Sequence, residues 1–145
     1  MPDARIPRKL RQWVIDRANG CCEYCLSQAK FSPDPFSVEH IVSRSKGGSD
    51  WEENLAFSCQ GCNGHKYTAI EGSDPINGEL TALYNPRLHQ WGEHFVWDEN
   101  FSIVVGRTAI GRATVERLCL NRSGVVNLRQ VLRKLDRHPP SMRSS

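Results

Sequence analysis

Cys22-Glu23-Tyr24-Cys25 and Cys59-Gln60-Gly61-Cys62-Asn63 bracket the stretch that decides the fold. Between them lie Val38-Glu39-His40-Ile41, the pair Gly47-Gly48, and Asn54-Leu55. Two CxxC pairs predict a tetrahedral site in which Cys22, Cys25, Cys59 and Cys62 bind structural zinc (Zn²⁺). Four sulfur ligands leave no open position, so such an ion joins the ends of a loop and does no chemistry itself. Any chemistry belongs to what the loop carries, and it carries Glu39-His40. Cys21 and Cys119 are read as spare, because the CxxC spacing favours Cys22 over its neighbour.

Working outward, residues 36–43 are rich in β-branched and aromatic side chains and predict a strand. Residues 46–54, with paired glycines and an acidic run, predict a loop, and residues 55–58 a second short strand. Residues 62–69 predict a helix that places Asn63 and Lys66 on one face at i, i+3. Upstream, Leu10, Trp13, Val14 and Ala18 have helical spacing over residues 5–19, with Asn19-Gly20 as the stop. Downstream, residues 72–86 are turn-rich and predict a surface wrap. Apolar runs at 93–98 and 102–107 flank Glu99-Asn100 and predict a β-hairpin. Thr108 predicts an N-cap for a helix to residue 120. Residues 125–137 predict a last amphipathic helix, burying Val125, Leu128, Val131, Leu132 and Leu135 and exposing Arg129, Arg133, Lys134 and Arg137. The fold class is therefore α+β. We expect a zinc-stapled core over residues 1–70, an extension of hairpin and two helices over 71–138 packed on it, and a disordered tail over 139–145.

The 145-residue length suits one domain with an extension, and 39% hydrophobic and 24% charged residues suit a soluble chain with a modest core. No apolar run approaches the ~20 residues needed to span a bilayer. The N-terminus is polar and basic with no apolar signal core. Both readings point to a cytoplasmic protein without a membrane partner, where paired cysteines mean metal more often than disulfide. The net charge of +3 is unevenly placed. Arg5, Arg8, Lys9 and Arg11 crowd the first residues, and Arg122, Arg129, Arg133, Lys134, Arg137 and Arg143 the last, around an acidic centre. Basic ends suit a polyanion held on either side of the metal site.

Glu39-His40 supplies the candidate chemistry. Neighbouring strand residues point to opposite sides, so one can face a metal and the other a water. The Glu39 carboxylate with the Asn63 amide oxygen is a hard-cation donor set, suited to Mg²⁺ or Mn²⁺ with Ni²⁺ or Zn²⁺ as alternatives. A neutral imidazole at His40 can take a proton from a water attacking phosphorus.

The order Cys-x-x-Cys, Glu39-His40, Gly47-Gly48, Asn54-Leu55, Cys-x-x-Cys-Asn63, then Lys66 resembles the HNH endonucleases, in their zinc-stapled branch with a ββα-metal core. The resemblance covers residues 17–66. It implies Glu39 as a metal ligand, His40 as general base, Asn54 as the residue holding loop and base in place, and Asn63 as the second metal ligand. Glu39 stands where Asp is commoner, Asn63 where His often stands, and Ser43 where Pro often stands. The implied activity is metal-dependent hydrolysis of DNA phosphodiesters, leaving 3′-hydroxyl and 5′-phosphate ends. Expected DNA contacts are Arg44, Lys46, His65, Lys66, Arg129 and Arg133, binding phosphates without reading sequence. The alternative is a non-catalytic zinc-knuckle DNA-binding module. A homodimer would be a simple route to double-strand cuts. His89 and His94, beside Trp91 and Trp97, have no metal-like spacing and are read as packing or surface residues.

Overall fold

The computed structural model describes residues 6–141. The expected helix start at residue 5, the basic Arg5 and tail residues 142–145 lie outside them. The chain folds around strand β1 (Ser37–His40), paired antiparallel with β2 (Leu55–Ser58), so that His40 faces Leu55 and Ser37 faces Ser58. Helix α2 (Gln60–Lys66) follows β2 with one residue between, and that residue is Cys59, whose sulfur caps the helix by accepting from Cys62 N–H at 3.4 Å. Starting the helix at the knuckle turns the second cysteine pair inward. Helix α1 (Arg8–Arg17) lies on the hairpin and drops Val14 into a core with Tyr24, Leu55 and Phe57.

Residues 72–86 depart from the expected wrap. Strands β3 (Glu71–Ser73) and β4 (Leu80–Ala82) form a second antiparallel hairpin. Its sequence lacks an alternating apolar pattern because its strands are mostly exposed; other groups hold it. Asp74, 1% exposed, accepts two bonds from the Arg112 guanidinium at 3.0 and 2.8 Å, tying the hairpin turn to a helix.

The third hairpin pairs β5 (Phe95–Trp97) with β6 (Val104–Gly106), preceded by a single helical turn, α3 (Trp91–His94). Helix α4 (Ala109–Leu118) starts at Thr108, whose Oγ1 accepts from Gly111 N–H at 3.0 Å. Helix α5 (Ser123–Lys134) forms nearly where expected but is rotated about its axis. Val131 and Leu135, expected inside, are 55% and 63% exposed, while Arg129, expected outside, is 3% exposed.

The Arg129 guanidinium donates to Ser102 O at 2.9 Å, Leu120 O at 2.8 Å, Cys25 O at 3.4 Å and Asn121 Oδ1 at 3.1 Å. Carbonyls from three separate chain segments thus share one planar donor, which offsets the burial of this charge. Residues 139–141 are also not the start of a loose tail. His138 is bonded to Phe101 O at 2.7 Å, Pro140 is buried, and Ser141 O accepts from Asn19 at 3.2 Å. No helix among the described residues is long and apolar enough to cross a membrane.

Candidate functional site

The four knuckle cysteines converge. Their sulfurs all lie within 4.8 Å of one another, and Cys22, Cys25 and Cys62 are fully buried. Zinc–sulfur arms of about 2.3 Å give tetrahedral sulfur–sulfur edges of about 3.8 Å, and Cys25 Sγ stands 3.7 Å from Cys59 Sγ. The donor set and its spacing fit structural zinc. Cys21 and Cys119 lie outside the cluster.

Four thiolates outweigh a dication, so the occupied cluster is anionic, and a cation has been built against it. Arg122 donates to Cys59 Sγ at 3.3 Å, to Cys62 Sγ at 3.7 Å and to Cys119 O at 3.1 Å. Burial pulls its pKa down, but the sulfurs, Cys62 foremost, hold it above the ordinary guanidinium value. The approach depends on Gly61, where an added Cβ would sit 2.4 Å from Arg122 Nη2. This partnership across 60 residues was not legible from the sequence, where Arg122 was only part of a basic run.

At the end of β1, pleating sends Glu39 and His40 to different surroundings. Glu39 is 7% exposed and lies over α2. Its Oε2 is 4.0 Å from Lys66 Nζ, while Oε1 is buried without a hydrogen-bond partner. Burial pushes its pKa up to about 6, against the pull of the Lys66 ammonium and the Tyr24 hydroxyl. The buried Tyr24 hydroxyl interacts with this carboxyl but falls outside hydrogen-bond geometry, so neither it nor Oε1 has a well-formed partner. A buried carboxylate oxygen with nothing to accept from is the kind of donor a hard cation satisfies. Asn63, half-buried on α2 one turn before Lys66, carries the amide oxygen that could join it.

His40 turns instead toward the Gly-Gly loop. Its side chain is 13% exposed, and Nε2 lies 2.7 Å from Asp50 Oδ1, which also accepts from Arg44 Nε at 2.8 Å. Asn54 ties that loop shut. It accepts from Val42 N–H at 2.9 Å and donates to Val42 O at 2.9 Å and to Ser49 O at 2.8 Å. The clamp is close enough to require glycine at Gly48, where a Cβ would meet Val42 O at 1.7 Å. Asp50 was missed in the sequence; its signal was an acid just beyond the paired glycines, in the loop that joins β1 to β2.

The expected DNA contacts divide. Lys46 and His65 are exposed, although Lys46 Nζ donates to Thr68 O at 2.8 Å. Arg44 serves Asp50, and the exposed Arg133 packs over the Phe101 ring at 4.8 Å. Lys66 and Arg129 are corrections. Lys66 is 2% exposed, donating to Ile41 O at 2.7 Å, and Arg129 is committed to the carbonyls above. Each is consumed by acceptors inside the molecule and has no face to offer a phosphate.

A cavity of about 540 Å³ lies elsewhere, between Arg17, Glu23, Tyr84, Arg87, His89 and Trp91.

A cysteine cluster, an antiparallel strand pair and a following helix make up a ββα arrangement closed by four sulfurs. Residues 22–68 match the family model described as HNH endonuclease. The resemblance read from the motifs is therefore shown for that stretch, about a third of the chain, and it indicates a nuclease or nucleic-acid-binding role. No curated protein and no solved structure matches the chain.

Proposed function

We propose that the protein is a metal-dependent endonuclease that hydrolyses DNA phosphodiester bonds at the end of β1. The observation carrying this reading is the division at Glu39 and His40: an orphaned carboxylate oxygen on one side of the strand, an oriented imidazole on the other. His40 takes the proton from a water that attacks phosphorus in line with the departing 3′ oxygen. Glu39 and Asn63 hold a divalent ion, Mg²⁺ or Mn²⁺. When bound, that ion supplies charge stabilisation to the phosphorane and the leaving oxygen. Asn54 keeps the loop closed around His40, and Lys46 and His65 offer positive charge and donors to flanking phosphates. Zinc on the four cysteines maintains the module. Residues 71–138 belong to the same proposal as a cover for a core of residues 1–70, since Arg122 and Arg129 serve the cysteine knuckles from the cover's side.

One observation favours a second reading, a non-catalytic zinc-knuckle DNA-binding module. The Lys66 ammonium already stands 4.0 Å from Glu39, so the carboxylate has a cation of its own. Cleavage of supercoiled plasmid separates the two. Wild type and His40→Ala, each folded and holding one zinc, are compared with added Mg²⁺, Mn²⁺ or Ni²⁺ and without added ion. The nuclease reading predicts ion-dependent nicking that falls at least about 10²-fold in the variant. Salt-sensitive DNA binding without nicking by the wild type would select the binding module.

A further inference from the structure

We propose that Asp50 is a positioning residue for His40, fixing the imidazole with its proton on Nε2 and leaving Nδ1 as the nitrogen that accepts a proton from water. The inference rests on the nuclease reading and adds a residue and an atom to it.

Three observations converge on Asp50. Its Oδ1 lies 2.7 Å from His40 Nε2, the length of a charge-assisted bond. The same oxygen accepts from Arg44 Nε at 2.8 Å, so the carboxylate is held by a second partner besides the ring. The residue before it is pinned, because Asn54 Nδ2 holds Ser49 O at 2.8 Å while Asn54 Oδ1 and Nδ2 together grip Val42. Asn54 therefore acts on His40 through Asp50: closing the loop delivers the carboxylate to the ring.

The chemistry then follows from donor counting. An ionised carboxylate only accepts, so the shared hydrogen belongs to Nε2. A neutral imidazole with its proton there has its lone pair on Nδ1. The bonds from His40, and next from Arg44, hold the Asp50 carboxyl below the usual carboxylate range, which keeps it ionised at neutral pH. As His40 becomes imidazolium during the reaction, the facing carboxylate stabilises the new charge, the logic by which an acid orients a base in hydrolytic triads. No proton need pass to Asp50.

Two readouts on the full-length, zinc-loaded protein test this, and they fail separately. The first is the nitrogen-15 spectrum of the His40 ring, which requires no cleavage. In the wild type the Nε2–H tautomer is expected to dominate. Asp50→Asn, which can present an N–H to the ring, is expected to shift His40 toward the Nδ1–H form. The second readout is plasmid nicking. Asp50→Asn and Asp50→Ala are expected to lower kcat roughly 10²-fold, leaving KM for DNA within about threefold. Asp50→Glu, which keeps an acceptor on a longer arm, should recover part of the loss. An unchanged tautomer in Asp50→Asn, or a kcat within about threefold of wild type in both variants, would overturn the proposal while leaving the nuclease reading intact. Absence of nicking by the wild type would instead overturn the nuclease reading, and the catalytic proposal with it, whatever the spectrum shows. Zinc content and melting temperature, matched among the variants, exclude a folding defect as the cause.

Discussion

At the cysteine staple each ligand sulfur has been given an opposite. The sulfurs of Cys22, Cys25, Cys59 and Cys62 face one another, Arg122 covers the exposed corner of Cys59, and helix α2 caps itself on the same atom. At the end of β1, twenty residues of chain earlier than α2, a buried carboxylate oxygen on Glu39 and the Tyr24 hydroxyl lack a well-formed hydrogen bond, and His40 is fixed through one nitrogen only. Leaving a buried polar group unmade costs roughly 1–3 kcal/mol, so the contrast is energetically meaningful. Closure marks the region that holds the module together, and the unspent donors mark the region poised for a cation and a water.

The comparison breaks most visibly if the staple is opened. Cys62→Ser removes one of four ligands, and structural zinc contributes on the order of 10 kcal/mol to a small domain. The variant is expected to lose bound zinc and its cooperative thermal transition, read by metal analysis and circular dichroism. A folded, zinc-free Cys62→Ser protein would mean that the hydrophobic core suffices without the metal.

A smaller effect sharpens the staple itself. Arg122→Met keeps much of the side-chain volume over Gly61 but withdraws two N–H···S contacts and the charge that offsets the thiolates. Zinc affinity, measured by competition with a chromogenic chelator, is expected to fall about 10- to 100-fold with the fold retained. Unchanged affinity would reduce Arg122 to a packing residue.

How legible all this was in the sequence depended on how local each interaction is. The cysteine pairs, β1, β2 and the Thr108 cap are specified by residues within a few positions of one another, and short patterns convey them. The β3–β4 hairpin was not legible because its strands expose most of their residues and the Arg112–Asp74 bonds come from 38 residues away. Arg129 was assigned to solvent because a basic residue on an amphipathic helix usually lies there. Only the assembled fold shows Ser102, Leu120 and Cys25 presenting carbonyls to it. Lys66 was misread for the same reason, with Ile41 O and Glu39 waiting inside. In the candidate site the residue types were legible and their supports were not, Asp50 above all.

The most direct test of the central contrast is to alter Glu39 and leave the staple untouched. Wild type and Glu39→Gln, each holding one zinc and matched in melting temperature, are incubated with supercoiled plasmid in buffer free of other divalent ions, then with Mg²⁺ added. The account predicts nicking only by the wild type and only after Mg²⁺ is added, with zinc content identical in the two proteins. Nicking by Glu39→Gln at the wild-type rate, or by the wild type without added ion, would contradict the claim that the orphaned carboxylate holds the working cation.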